Sequence, residues 1–239
     1  MFYKEWKFFY KKIVDDFDFS IKKDNLAANI LDRLLKKYKL IYIEELNDLI
    51  FNKEVIVFGA GPSLENSIKI YKKNFSNKIK ITADGATSAL IERKIKPDII
   101  VTDLDGNVKD QIKANSDGSF VIIHAHGDNI KKIKKYVPKF KGKLLGSTQT
   151  DPKLYENVYN FGGFTDGDRA VYLADHFNAK KIFLVGFDFN GEIGKYSFSK
   201  NKDKNIKLKK LKWCKHLIEL LMKNKNNIHY LKIGSYINK

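Results

Sequence analysis

Cysteine and arginine are both scarce in this chain of 239 residues. The single cysteine, Cys214, has no partner for an intrachain disulfide, which favours a reducing setting. No signal-peptide pattern opens the sequence, and no apolar run approaches the roughly 20 residues that span a bilayer. We therefore expect a cytoplasmic protein that has no membrane partner.

Positive charge is abundant, but it comes almost entirely from lysine. The formal net charge is +17, and the arginines are limited to Arg33, Arg93 and Arg169. The lysines are spread along the whole chain without a zinc-finger or RNP motif, which argues against a nucleic-acid partner. An anionic small-molecule substrate explains the charge equally well. Nucleic-acid binding therefore remains an alternative that rests on charge alone.

Residues 53–239 alternate between short β-branched runs and helical patterns. Such alternation predicts an α/β fold, Rossmann-like, with an open and mainly parallel sheet flanked by helices. The expected strands are 55–58, 79–82, 99–101, 120–123, 144–145, 182–185 and 228–231. The expected helices are 64–73, 87–94, 108–114, 129–136 and 168–177, followed by a C-terminal helix. We interpret this region as one α/β catalytic domain that ends in that helix and a short strand.

Residues 1–52 are predicted to form a helical N-terminal cap. A second helix is expected to begin near Asp24, as its N-cap, and a third covers 43–51. The first helix shows an apolar stripe at helical spacing, which we interpret as packing surface. Its members are Phe2, Trp6, Phe9, Ile13 and Phe17.

Carboxylates follow two of the predicted strands. Asp103 and Asp105 come just after the buried run 99–101, and Asp84 ends the preceding strand. Ligands of open α/β sheets lie beyond the carboxyl ends of the strands. Mg²⁺ is typically held by one or two carboxylates together with substrate phosphates. These acids are therefore candidates for a metal site, although solvated turn residues or an N-cap are the plainer interpretation.

A glycine loop, residues 59–64, follows the first strand and opens a helix. Its Gly59, Gly61 and Ser63 are candidate phosphate-binding residues, since glycine permits close approach and helix N-termini attract anions. The dinucleotide-binding fingerprint G-x-G-x-x-G is incomplete here, because Leu64 stands in place of its third glycine. Asp84 could still act as the ribose-binding acid of an NAD site. No P-loop sequence is present, which argues against a P-loop kinase.

Two further loops carry polar side chains. His124-Ala125-His126-Gly127-Asp128-Asn129 is similar to a dinuclear metallohydrolase motif, but Asn129 replaces its last histidine. Contact with substrate or phosphate and plain helix capping both remain open for it. The loop 162–170 adds Thr165, Asp166, Asp168 and Arg169, whose planar guanidinium suits phosphate oxygens.

Taken in order, these motifs resemble the archaeal 6-hydroxymethyl-7,8-dihydropterin pyrophosphokinase family over residues 55–190. A subset is also similar to the catalytic domain of thiamin pyrophosphokinase. The resemblance implies that Asp103, Asp105 and Asp166 bind metal and that these acids act with Asp84 in catalysis. The expected nucleotide and substrate contacts are Gly59, Gly61, Ser63, His126, Asp128, Asn129, Thr165, Asp168 and Arg169.

The reaction that this resemblance implies is Mg²⁺-dependent transfer of diphosphate from ATP to a pterin alcohol, releasing AMP. It belongs to methanopterin or folate-type cofactor synthesis. The expected partners are ATP and the pterin alcohol, with a homodimer as the assembly to test. A nucleotide-sugar glycosyltransferase and a thiamin pyrophosphokinase are the alternatives. No thiamin-binding β-sandwich is apparent, which argues against thiamin.

Overall fold

The computed structural model describes residues 3–197 and 204–231, so Phe2 of the predicted stripe lies outside the described residues. Within these ranges the chain alternates helices and strands after an all-helical start. The helices are α1 Tyr3–Phe17, α2 Ile21–Leu35, α3 Ile43–Ile50, α4 Leu64–Tyr71, α5 Ala86–Ile91, α6 Val108–Ser116, α7 Ile130–Tyr136, α8 Asp166–His176 and α9 Lys204–Asn224. The strands are β1 Glu54–Phe58, β2 Ile79–Ala83, β3 Ile99–Thr102, β4 Phe120–Ala125, β5 Leu144–Thr148, β6 Val158–Tyr159, β7 Lys181–Val185 and β8 Ile228–Tyr230.

All of these strands join one sheet in the order β6-β5-β4-β3-β2-β1-β7-β8. Every pairing is parallel, so the predicted Rossmann-like α/β fold is confirmed. The two-residue strand β6 is absent from the predicted strands, because so short a segment has no measurable periodicity. The sheet order reverses between β1 and β7, and such a switch point is where open α/β sheets bind ligands.

Side chains of each strand alternate between the two faces of the sheet. Val55 and Val57 of β1 pack with α1, α3, α8 and α9 on one face. Ile56 and Phe58 of the same strand pack with α4 and α5 on the other. Helix α2 lies on that second face with α6 and α7, against β4 and β5. The first three helices therefore contribute to the cores on both sides of the sheet.

The start of α2 differs from the prediction. Its N-cap is Ser20, whose hydroxyl accepts a hydrogen bond from the Lys23 amide at 3.3 Å, rather than Asp24. Asp24 instead lies inside the helix and is only 3% exposed. Serine and aspartate are about equally favourable as N-caps, so residue type alone does not distinguish Ser20 from Asp24.

The apolar face of α1 also differs in detail, since it buries Trp6, Tyr10 and Ile13 and leaves Phe9 and Phe17 partly exposed. None of the helices in the described ranges is both long enough and apolar enough to cross a membrane.

Candidate active site

A cavity of about 680 Å³ opens at the carboxyl ends of the central strands. It is lined by residues that follow β1, β2, β3, β4 and β7, together with the start of α8 and parts of α2 and α9. Ten of the residues predicted from the sequence line it, which are Gly59, Gly61, Asp84, Asp103, Asp105, His126, Asp128, Thr165, Asp166 and Arg169. Ser63, Asn129 and Asp168 are not among its lining residues.

Three aspartates converge at this cavity. Asp84 follows β2, Asp103 follows β3 and Asp166 begins α8, and each offers a carboxylate oxygen within 4.8 Å of the others. The Asp103 amide also donates to an Asp166 oxygen at 3.2 Å. Thr102 and Gln111 hold the Asp84 carboxylate through bonds of 2.7 and 2.9 Å. The cluster therefore has a defined geometry rather than being three solvated side chains.

Burial sets the electrostatics of this cluster. It raises the pKa of the Asp166 carboxyl well above its ordinary value, and the neighbouring charge of Asp103 raises it further, while Arg169 opposes the rise. Burial and then Asp103 likewise raise the pKa of Asp84. Crowded, half-buried carboxylates with hard oxygen donors form a set that fits Mg²⁺ or a similar divalent cation.

Asp105, predicted as a metal ligand, is placed differently from Asp103. Its carboxylate forms an ion pair with Lys132 of α7, and it is not part of the three-aspartate cluster. His126 is the side chain beside Asp103, with Nε2 3.4 Å from Asp103 Oδ2. The other ring nitrogen of His126 accepts from the Asp128 amide at 3.3 Å. This pattern assigns the proton of a neutral His126 to Nε2, facing Asp103.

The first turn of α8 combines a helix cap with one member of the acid cluster, Asp166. Asp168 is fully buried and accepts hydrogen bonds from the Phe164 and Thr165 amides at 2.6 and 2.7 Å, and from the Thr165 hydroxyl. The structure thus places Asp168 as a capping residue. Arg169, one helical turn after Asp166, has its Nη1 3.0 Å from Asp166 Oδ1. Arg169 is the guanidinium that lines the cavity next to the acids.

The glycine loop is occupied by a carboxylate that follows β7. One oxygen of Asp188 accepts both the Ser63 amide, at 2.9 Å, and the Ser63 hydroxyl, at 2.8 Å. A Cβ atom at Gly61 would lie 2.3 Å from that same oxygen. Gly61 therefore makes room for Asp188. Phosphate binding by Ser63 stays a prediction, and in this structure both of its donors are already used.

His124 and Asn129 lie at the end of β4 and in the turn that follows it. The Asn129 amide donates to the backbone oxygens of Asp103 and His124, and its own oxygen accepts the His126 amide. His124 is buried with Nδ1 3.1 Å from Ser147 Oγ, and burial lowers the pKa of its ring well below the ordinary value. Asn129 therefore holds the turn that presents His126 to the cavity, whereas the His124 ring joins β4 to β5.

Comparison with known proteins now identifies the family. The profile of the family described as 6-hydroxymethylpterin diphosphokinase MptE-like matches residues 28–193. The chain belongs to this family. The resemblance predicted from the motifs is therefore confirmed.

Similar proteins extend this match to almost the whole chain, and three are named 6-hydroxymethyl-7,8-dihydropterin pyrophosphokinase. The Methanocaldococcus jannaschii protein is 48% identical, covering 96% of this chain and 99% of the relative. The Pyrococcus furiosus protein is also 48% identical, covering 94% and 96%. The Methanothermobacter thermautotrophicus protein is 39% identical, covering 92% and 94%.

One solved structure, the MAf glycosyltransferase from Magnetospirillum magneticum AMB-1, also aligns with this family member. It covers 68% of this chain and 28% of its own chain at 16% identity, with a TM-score of 0.35. A score this low bears on neither the fold nor the function.

Several residues of this site escape prediction from the sequence. Lys132 and Gln149 belong to no motif, and Asp188 is a single acid after the expected strand 182–185, which predicts no site by itself. Asp24 is predicted only as an N-cap. A signal for Asp24 does exist, since it shares the buried face of α2 with Ala27, Ala28 and Leu31 at spacings of three, four and seven. An acid within an apolar stripe needs a buried partner, and here that partner lies at the active site.

Proposed function

We propose that this protein transfers a diphosphoryl group from ATP to 6-hydroxymethyl-7,8-dihydropterin in a Mg²⁺-dependent reaction. The products are the pterin diphosphate and AMP. The observation that carries the proposal is the acid cluster of Asp84, Asp103 and Asp166 in a large cavity, in a chain whose relatives carry this enzyme name. The cavity volume falls within the range of roughly 300–1,000 Å³ that is typical of small-molecule sites.

The three aspartates are the residues that would hold Mg²⁺, with Asp105 as a further candidate at the same rim. Mg²⁺ held by these residues would offset the negative charge of the phosphate oxygens. The residues fit this role because their buried carboxylates repel one another in the absence of a cation.

The remaining polar groups position the reactants. The substrate hydroxyl oxygen forms a bond to the β-phosphorus and releases its proton to solvent. The bond from the α–β bridging oxygen to that phosphorus breaks, so AMP leaves with the bridging oxygen. Arg169 and Lys132 flank the acids and are placed to neutralise phosphate charge, since Arg suits two oxygens at once. His126 keeps Asp103 oriented through its Nε2 hydrogen. Positioning and electrostatics of this kind supply most of the catalysis in phosphoryl transfer.

The nucleotide product tests the proposal directly. Purified protein incubated with ATP, Mg²⁺ and 6-hydroxymethyl-7,8-dihydropterin should form pterin diphosphate and AMP in equal amounts. Phosphorus NMR and chromatography measure both products. Omission of Mg²⁺ with added chelator should abolish the reaction, and thiamin should be a poor acceptor. Formation of ADP would refute diphosphoryl transfer. Turnover of a sugar nucleotide without pterin-dependent AMP release would favour the glycosyltransferase alternative.

A further inference from the structure

Asp24 is a buried carboxylate on an N-terminal helix, and it accepts three hydrogen bonds from distant parts of the chain. The donors are the Tyr10 hydroxyl at 2.6 Å, the Gln149 side-chain amide at 2.7 Å and the Gly127 backbone amide at 2.7 Å. Tyr10 belongs to α1, whereas Gly127 and Gln149 follow β4 and β5. The last two bonds tie α2 to the loops around the active site.

Gln149 passes this connection on to the guanidinium beside the acids. Its Nε2 donates to Asp24, while its Oε1 lies 3.4 Å from Arg169 Nη2. Arg169 Nη1 in turn lies 3.0 Å from Asp166 Oδ1. Because a carboxylate only accepts and a guanidinium only donates, just one orientation of the Gln149 amide satisfies both neighbours. Asp24 therefore determines which end of Gln149 faces Arg169.

The second branch from Asp24 reaches the turn that follows β4. Asp24 Oδ1 accepts the amide of Gly127, the residue after His126. His126 Nε2 lies 3.4 Å from Asp103 Oδ2. One buried carboxylate on α2 is thus bonded toward both Arg169 and the His126 turn.

We propose that Asp24 is a positioning residue for the diphosphoryl transfer, acting through the Gln149 amide on Arg169 and through Gly127 on the turn that carries His126. This inference rests on the proposed function. It gives the N-terminal helices a role in the reaction, although they supply no group to the acid cluster. Asp24 itself need not touch either substrate.

The key variant is Asp24→Asn, which keeps the shape of the side chain. The Gly127 backbone amide can only donate, so the oxygen of the introduced amide stays toward it and the new nitrogen takes the Oδ2 position, facing the Gln149 nitrogen. Gln149 must then turn its amide, and it presents a donor to Arg169. Donor against donor removes the bond that orients the guanidinium and leaves a buried group unsatisfied. We expect kcat to fall about tenfold or more, because a loss of about 1.4 kcal/mol corresponds to a factor of ten.

Combining Asp24→Asn with Gln149→Glu provides a rescue that a merely structural role would not show. In this double variant the introduced amide at position 24 donates to one oxygen of the introduced carboxylate at position 149. The other carboxylate oxygen accepts from Arg169, so both donors between position 24 and Arg169 again meet an acceptor. The Tyr10 hydroxyl turns to accept from the second hydrogen of the introduced amide. The net charge equals that of the wild type. We expect the double variant to recover most of the activity lost in Asp24→Asn.

Asp32→Asn is the matched control. Asp32 lies on the same helix, is 8% exposed, and accepts hydrogen bonds from the Glu156 and Asn157 amides, with no link to Arg169. Its loss should lower stability without lowering kcat beyond about twofold. A double variant as inactive as Asp24→Asn, or an Asp24→Asn enzyme as active as Asp32→Asn, would overturn the proposal.

A separate variant and a binding assay cover the remaining outcomes. If Asp24→Asn does not fold, Gln149→Met provides the test. It keeps Asp24 and its bonds to Tyr10 and Gly127 but breaks the link to Arg169. Wild-type kcat in Gln149→Met would refute the proposed action of Asp24 through Gln149. Calorimetry with α,β-methylene-ATP and Mg²⁺ should show about tenfold weaker binding in Asp24→Asn and recovery in the double variant. Because this assay needs no turnover, unchanged binding in Asp24→Asn would overturn the positioning role of Asp24 even if the pterin reaction is not observed.

Discussion

Two residues at the acid cluster adopt backbone conformations that are costly for side-chain-bearing residues. Asp84 has φ of 41° and Leu104 has φ of 67°. Conformations of this kind cost on the order of 1–3 kcal/mol each and persist only where the surroundings hold them. At Asp84 the surroundings are Thr102, Gln111 and the Gly106 amide, all of which donate to its carboxylate. The strain is therefore offset by bonds that aim the carboxylate at the cluster.

Gly106→Ala tests whether metal binding depends on the position of the Asp84 carboxylate. A Cβ atom at Gly106 would lie 2.7 Å from Asp84 Oδ2, so the carboxylate must move away from its present position. We expect the Mg²⁺ concentration for half-maximal activity to rise about tenfold, equivalent to roughly 1.4 kcal/mol of lost metal binding. Asn107→Ala alters the same turn without that clash and serves as the control. An unchanged Mg²⁺ dependence in Gly106→Ala would show that Asp84 is not a ligand.

Helix α4 shows how an element can depend on a residue far away in the chain. Its N-cap, Ser63, makes no capping bond with its own side chain. Asp188, which follows β7, supplies the acceptor and brings a negative charge to the helix N-terminus, where the helix dipole favours it. The pairing also joins the β1 and β7 loops at the switch point of the sheet.

Asp188→Ala should therefore destabilise the protein by about 0.5–2 kcal/mol, the usual cost of a lost N-cap. Asp188→Asn should lose less, because its amide oxygen can accept both Ser63 donors. Ser63→Ala, which removes only the hydroxyl, should fall between Asp188→Ala and the wild type. Urea denaturation measures all three variants. Equal stability of Asp188→Ala and the wild type would contradict the capping role.

At the scale of the whole molecule, the fold brings negative charges together from β2, β3 and α8. Burial makes ionisation of Asp84 and Asp166 unfavourable, and Arg169 offsets only part of that cost at Asp166. Such burial of acids reduces the stability of the protein, and on the proposed function a bound cation would restore it. Stability and function thus oppose one another at the acid cluster.

Asp166→Asn makes this opposition measurable. Removing one buried charge should raise the melting temperature of the metal-free protein and shrink the further rise that Mg²⁺ gives the wild type. Asp175→Asn is the control on the same helix, because Asp175 pairs with Lys225 at 3.2 Å and lies outside the cluster, so its loss should bring no gain. Differential scanning fluorimetry with and without Mg²⁺ compares them. A metal-free Asp166→Asn protein that melts below the wild type would contradict the charge argument.

The amino-acid pattern is enough to predict the fold class and the acids and glycines that line the cavity at the strand ends. Strand positions follow from short apolar runs, and residues just after parallel strands must meet at one edge of the sheet. This reasoning predicts Asp84 and Asp103 as neighbours, and the glycine-rich loop adds Asp166 and Arg169 as candidates. The same logic does not reach β6, whose two residues show no period.

The partner of each polar side chain, by contrast, depends on the tertiary structure. Asp103 and Asp105 are two residues apart, yet the left-handed turn at Leu104 separates them, and Asp105 pairs with Lys132. The stripe of α2 indicates that Asp24 is buried, but no local pattern names its partner or that of Asp188, because their bonds cross 125 residues to Gln149 and Ser63. Local patterns record backbone preference and burial, whereas hydrogen-bond partners depend on where distant elements come to lie.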